Sequence, residues 1–258
     1  MKILTIGDIF GRIGRNAVFE ELENLRSEVD FIIANAENAA HGRGLSKPVY
    51  EELSKSGIDV FTTGNHTWGC PDIESVMRYN DNVIRPANFE GVVPGQGSTI
   101  ITAKNGVRVG VINLIGRTYI QQPASSPFFA ADAEIEAMQG KADIIFVDFH
   151  AEATSEKMAL GYYLDGRCSA VFGTHTHVQT ADNKILPGGT GYITDLGMTG
   201  PSCSILGVDK NTIIKRFLNG MPQKFTVANG AGQFCGAIFD IDTNTGKTVG
   251  IERIYKEY

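Results

Sequence analysis

Short apolar runs of strand length recur along the chain, and each gives way to glycine or a polar residue. Runs at 2–7, 31–35, 58–63, 143–149 and 169–173 predict buried strands. Between them apolar positions return at helical spacing. Val18, Leu22 and Leu25 share one face of a segment from Arg15 to Glu28, and Lys47 to Ser56 and Ala153 to Leu164 read the same way. Strand and helix alternating over roughly the first two-thirds of the chain predict an α/β sheet with many parallel strands. Two stretches differ. Asn105-Gly106 within Ser98 to Ile115, and Asn244-Thr245-Gly246 within Cys235 to Ile254, lie between β-rich arms and predict hairpins. Antiparallel pairs added to parallel ones give a mixed architecture, with two facing sheets and helices outside. Strand order is not legible.

With 258 residues, 42% of them hydrophobic, the chain can bury an extended core, which excludes a disordered protein. No internal repeat or linker-like shift in composition interrupts it, so one domain over 1–258 is expected. The net charge is -6 and no run of Lys and Arg is present, so a dedicated DNA-binding surface is not expected, while nucleic acid remains open as a substrate. Cys70, Cys168, Cys203 and Cys235 form no C-x-x-C pair and follow no secretory leader, which predicts reduced thiols in a cytoplasm. The apolar amino terminus meets Gly7 and Asp8 long before it could span a bilayer, and it reads as a first strand rather than a membrane anchor.

Chemistry concentrates where strands end. Of five histidines, His66, His150, His175 and His177 lie in or beside such segments. Asp8 follows 2–7, Glu37-Asn38 follows 31–35, Asn65-His66 follows 60–64, His150 follows 144–149, and His175 with His177 follows 170–173. Ligands of open α/β sheets bind outside the carboxyl ends of the strands, so five strands are expected to deliver these groups to one edge. Period-2 alternation would set the imidazoles of His175 and His177 on one side of an extended segment, sharing one metal or reaching two. Glu37 has two oxygens with which to bridge cations, and Asn38 and Asn65 add neutral carbonyl oxygens. Two divalent ions bring about +4 against -2 from Asp8 and Glu37, leaving roughly +2, a field that attracts phosphate. Paired metals of this kind hydrolyse phosphoesters.

The segments Gly7-Asp8, Asn35-Ala36-Glu37-Asn38, Gly64-Asn65-His66, His150 and Gly173-Thr174-His175-Thr176-His177 resemble the calcineurin-like metallophosphoesterases in order and spacing. The fuller wording, with Gly7 to Arg12, Asn65 to Trp68, Asp148 to Lys157 and Thr194 to Pro201, resembles the YmdB group over most of the chain. That resemblance implies a four-layer αββα sandwich, a dinuclear centre and phosphodiesterase activity on 2′,3′-cyclic nucleotides. It implies attack by a metal-bridging hydroxide, with His66 as proton donor. Asp8, Glu37, Asn38 and His177 would hold one metal, and Glu37, Asn65, His150 and His175 the other. The chain departs from the wider superfamily at Phe10, where D-x-H normally supplies histidine, and at Glu37, where the bridge is normally aspartate; Asn38 would stand in for the missing imidazole. An amide oxygen in place of nitrogen hardens that site and leans toward iron, with manganese, magnesium and zinc also admitted. A broad phosphomonoesterase, or a regulatory or scaffold protein that keeps the site, are the competing functions. Short RNA ends and self-association stay open.

Other features read as structural. Gly7-x3-Gly11-x2-Gly14 lacks the G-x-G of a dinucleotide loop and places Asp8 where pyrophosphate would need amides. Arg12 and Arg15 suit a solvated first helical turn as well as they suit phosphate. His41 is expected to be exposed. Glu152, Ser155 and Glu156 are expected to cap a helix; Trp68, beside His66, suits stacking on a base, but a lone tryptophan more often serves packing, and packing is expected here.

Overall fold

The computed structural model describes residues 1–258. The first half of the chain forms β1 (Lys2–Ile6), β2 (Asp8–Ile9), α1 (Gly11–Leu25), β3 (Phe31–Asn35), α2 (Lys47–Ser54), β4 (Val60–Thr62), α3 (Ile73–Tyr79), β5 (Ser98–Thr102) and β6 (Arg108–Ile115). The second half adds α4 (Pro127–Met138), β7 (Ile144–His150), α5 (Thr154–Tyr163), β8 (Ala170–Thr174), β9 (Lys184–Ile185), β10 (Gly191–Ile193), β11 (Met198–Pro201), α6 (Lys210–Asn219), β12 (Gly232–Asp242) and β13 (Lys247–Glu257). A seven-stranded sheet runs β2-β11-β12-β1-β3-β4, with β13 paired to β12, and a six-stranded sheet runs β5-β6-β7-β8-β10-β9.

Strand alternation sorts the apolar residues into three separate layers, and these make the αββα sandwich. Leu4, Ile6, Ile32 and Ala34 pack outward against Val18 and Leu22 of α1, Val49 and Leu53 of α2, and Val76 of α3. Their neighbours Ile3, Phe31 and Ile33 point the other way and meet Val109, Val111, Phe146 and Phe172 of the second sheet. On its far face Ile112, Leu114, Val147 and Phe149 pack against Ile135 and Met138 of α4 and Leu160 of α5. A strand buried on both faces reads as a continuous apolar run, as these do.

Both predicted hairpins are present, β5 with β6 and β12 with β13, each antiparallel. β12 also pairs antiparallel with β1, so the carboxyl-terminal hairpin is built into the centre of the first sheet. Asp8 follows β1 across Gly7, as expected, and itself opens the two-residue β2, parallel to β11. The first helix begins at Gly11 rather than Arg15, because Gly14 lets α1 lie directly on β11: a Cβ there would stand 2.2 Å from the carbonyl oxygen of Thr199.

Within each sheet the strands that matter run parallel: β1, β3 and β4 in the first, and β6, β7 and β8 in the second. All carry their carboxyl ends toward the same place, and buried polar side chains bridge the sheets there. Asn35 donates to Asp148 at 3.3 Å, Thr62 donates to Asp148, and the Thr63 amide donates to Asn113 at 3.1 Å. The expectation of a single sheet edge is therefore corrected. The polar groups arrive from two facing sheets and meet over the seam between them. No helix is long and apolar enough to cross a membrane, and all four cysteines are free.

Candidate metal centre

All eight singled-out residues come together over this seam. His150 is the last residue of β7 and is fully buried; its Nε2 lies 2.8 Å from Asn65 Oδ1, 3.2 Å from Glu37 Oε1 and 3.0 Å from His175 Nδ1. Glu37, His150 and His175 thus present ligand atoms within 4.8 Å of one another. A second group adjoins it. His177 Nε2 lies 3.7 Å from Asp8 Oδ1 and 3.3 Å from the Asn38 amide nitrogen, which is itself 3.4 Å from Glu37 Oε1. Glu37 Oε1 therefore borders both groups. Its other oxygen accepts the backbone N–H of His66 at 2.9 Å, which holds the carboxylate in place. Gly64 makes room for this arrangement, since a Cβ on it would stand 2.3 Å from the His150 ring.

The outer nitrogen of each imidazole is occupied. His150 Nδ1 lies 2.9 Å from Thr174 Oγ1, which donates to Asp148 at 2.7 Å. Nδ1 of His177 meets the Leu206 carbonyl at 3.1 Å, and Nε2 of His175 meets Glu152 at 3.0 Å. A ring that donates outward turns a lone pair inward, the arrangement that metal-ligating histidines adopt. Three inward nitrogens with the oxygens of Asp8, Glu37 and Asn65 make a mixed N/O set for a borderline or hard divalent cation. The residues present fit a metal.

Asn38 differs from expectation in one detail. It offers its NH2 group to Asp8, Glu37 and His177, and a half-turn of the amide brings Oδ1 to the same place. His175 and His177 also reach the site by a different route from the extended segment expected. Their φ angles are 100° and 63°, so the loop turns sharply at both. Such conformations persist only where the surroundings impose them. Here the His175 amide donates to Asp8 Oδ2 at 3.0 Å and the Thr176 amide to Asp195 at 3.1 Å, while Lys157 Nζ bonds the Thr174 carbonyl at 2.8 Å and Asp195 at 2.6 Å.

Charge is tightly matched. Burial opposes a proton on His150, but Glu37, Asp8 and Asp148 overcome it and bring the group up to about 9. Burial, reinforced by the positive His150, takes His175 down to about 3. Burial favours the neutral forms of Asp8 and Glu37, yet His177 outweighs it at Asp8 and His150 at Glu37, so both carboxyls lie below the usual range. His177 is raised against the pull of burial by its bond to Asp8. Burial lowers His66, and its Nδ1 is buried without a protein partner.

Phe10, in place of the histidine common in the superfamily, packs edge-on against His177 with ring centroids 5.6 Å apart. Arg15 ties α1 to the ligand loop, bonding the Ala39 carbonyl at 2.8 Å and Glu52 at 3.0 Å, while Arg12 and His41 are exposed. The expected capping role is corrected for Glu152 and Glu156. Ala153 precedes α5 with no side-chain cap, Glu152 turns to His175, and Glu156 accepts the amides of Arg117 and Thr118 across the site. Sequence reasoning missed Thr174, Asp148, Lys157, Asp195 and Gln122, whose amide donates to the Asn65 carbonyl at 2.7 Å. Asp148 had a visible signal, an acid inside the apolar run 144–149. Lys157 and Asp195 lie in segments that carry the family resemblance, but nothing local marked them as a pair, because 38 residues separate them.

A family model of YmdB-like proteins matches residues 4–254. The chain is 53% identical over 256 residues to a 2′,3′-cyclic-nucleotide 2′-phosphodiesterase of Bacillus subtilis (strain 168), spanning 98% of this chain and 96% of that one. It is 37% identical to a putative phosphatase/phosphodiesterase of Mycoplasma pneumoniae, covering 98% and 92%. Among solved structures, a hypothetical protein from Thermus thermophilus matches with a TM-score of 0.94 and 41% identity over 100% of this chain and 99% of that one. A novel phosphatase from Mycoplasma pneumoniae matches with a TM-score of 0.93 and 37% identity, covering 100% and 93%.

Proposed function

The chain belongs to the YmdB-like protein family, and from that premise we propose that it is a metal-dependent phosphodiesterase that opens 2′,3′-cyclic nucleotides. The B. subtilis relative, 53% identical over almost the whole length, supports the substrate class. The observation that carries the metal requirement is the orientation of His150, His175 and His177, each with its outer nitrogen engaged and its inner one facing Asp8, Glu37 or Asn65. In this reading Asp8, Glu37, Asn38 and His177 hold one cation and Glu37, Asn65, His150 and His175 a second, with iron favoured by the oxygen-rich set. Cations bound there supply Lewis acidity toward phosphoryl oxygens and acidify water.

The chain's own residues do the rest. Glu37 borders both groups and keeps them at one spacing, and the His66 amide fixes its orientation. His66, beside Asn65, donates a proton to the ribose oxygen released when one P–O ester bond breaks. Lys157 and Asp195 hold the turn that aims His175 and His177. Residues 1–258 act as one unit, since β1 and β12, from opposite ends of the chain, lie side by side beneath the site. The four free thiols suit a reducing cytoplasm.

The test joins metal analysis to a phosphoester panel on wild type and Glu37→Gln. Stoichiometric metal, higher kcat/KM for 2′,3′-cyclic nucleotides than for phosphomonoesters, and loss of both metal and activity in the folded variant are expected. A folded Glu37→Gln with full activity overturns the metal role, and preference for monoesters overturns the substrate class.

A further inference from the structure

Trp68, the chain's single tryptophan, does not serve the core. It is 42% exposed, although the turn that carries it, Thr67–Gly69, is anchored on both sides. Thr67 is buried and its hydroxyl bonds the Gly64 carbonyl at 2.6 Å and the Thr63 hydroxyl at 2.9 Å. Gly69 bonds the His66 carbonyl at 2.8 Å and abuts the backbone of the 38–44 loop: a Cβ on it would stand 2.9 Å from the Gly44 nitrogen. Phe89 lies against the indole, with ring centroids 6.1 Å apart at a tilt of 36°. The structure therefore holds a large, flat aromatic surface rigidly, two residues from His66, and leaves much of it open to solvent.

The chemistry proposed above says what belongs there. In a cyclic phosphodiester of a nucleoside the released oxygen stays on the ribose, so the group that protonates it stands on the nucleoside side of the phosphorus. His66 caps the turn Thr67–Gly69 that carries Trp68, so the two side chains leave the backbone two residues apart. We propose that Trp68, backed by Phe89, is the platform on which the nucleobase of the substrate stacks. This inference rests on the reading of the site as a cyclic-nucleotide phosphodiesterase. Every base has a π-face, so such a platform accepts all four bases and distinguishes nucleosides from base-free phosphoesters.

The test compares 2′,3′-cyclic AMP with glycerol 1,2-cyclic phosphate, which carries the same ester ring without a base, on metal-loaded wild type, Trp68→Ala and Trp68→Phe. Trp68→Ala should lose about tenfold or more in kcat/KM on the nucleotide, mainly through KM. On the glycerol ester it should stay within about twofold, and Trp68→Phe should recover most of the loss. As the only tryptophan, Trp68 also reports directly: adenosine 3′-phosphate should quench wild-type indole emission saturably, and glycerol 2-phosphate should not. Equal losses on both esters, no loss on either, or no selective quenching overturns the platform. Wild type that hydrolyses other phosphodiesters but not 2′,3′-cyclic AMP overturns the substrate reading and the platform with it. Wild-type turnover of the nucleotide with Trp68→Ala unaffected overturns the platform alone.

Discussion

His175 Nδ1 faces His150 Nε2 at 3.0 Å, and each ring has already committed its other nitrogen, one to Glu152 and one to Thr174. Two ring lone pairs at that separation need a proton or a cation between them. In metal-free protein burial and the charge on His150 take His175 down to about 3, while Glu37, Asp8 and Asp148 overcome burial at His150 and draw it up to about 9, so His150 takes the proton. A cation held here, as proposed, would compete with that proton for one position.

Metal-free protein should accordingly lose stability as pH rises. The folded pKa of His150 lies above its ordinary value of 6.5, so the stabilisation from its charge is complete below about pH 6.5 and is lost as pH climbs through about 9. Thermal melting of chelated protein should show a falling Tm across that window, and the metal-loaded protein a much flatter curve. His150→Gln should make the fall markedly shallower, leaving the part due to His177, which Asp8 also raises; a chelated variant with the wild-type slope would assign the fall to another group.

Thr174→Val keeps the shape of the side chain and deletes the hydroxyl that joins His150 Nδ1 to Asp148. Outer partners of metal-binding histidines contribute about 10–100-fold in affinity, and a loss of that size is expected in competition with a chromogenic chelator. Wild-type affinity would show that His150 orients without help.

His66→Ala should reduce kcat by about 10²–10⁴-fold on 2′,3′-cyclic nucleotides, whose leaving alkoxide needs a proton. On a p-nitrophenyl phosphodiester, whose leaving group needs little protonation, the loss should be much smaller. Metal content should not change. Equal losses on both substrates would give His66 a binding role instead.

Lys157→Met should destabilise the fold by about 3–5 kcal/mol, because it leaves the buried carboxylate of Asp195 without its cation. Urea unfolding measures this directly. The same variant should bind metal more weakly, since the Thr174 carbonyl and the turn through His175 lose their anchor.

The fold was legible where apolar runs were long. β3, β7 and β8, buried on both faces, stand out as continuous hydrophobic segments, and the Asn-Gly and Asn-Thr-Gly turns mark both hairpins. β2, β9, β10 and β11 have two to four residues each, too few for a period to show. α6 was missed despite a readable start and stop: Asp209 accepts the Thr212 amide at 2.9 Å, and Gly220 closes the helix at a φ of 68°.

By itself the sequence determined the types of the candidate site residues, their order and their attachment to strand ends, because those depend on local residue choice. It also determined the substitution of Phe10 for a histidine. Tertiary structure decided that the strands belong to two sheets whose carboxyl ends meet, that His175 and His177 turn inward through left-handed backbone, and that Glu152 orients a ring instead of capping a helix. It also decided the support beneath them, in which Asp148, Thr174, Lys157 and Asp195 act only in company. The physical reason is sequence distance. A hydrogen bond between Asn35 and Asp148 spans 113 positions, and no local pattern carries information across that gap.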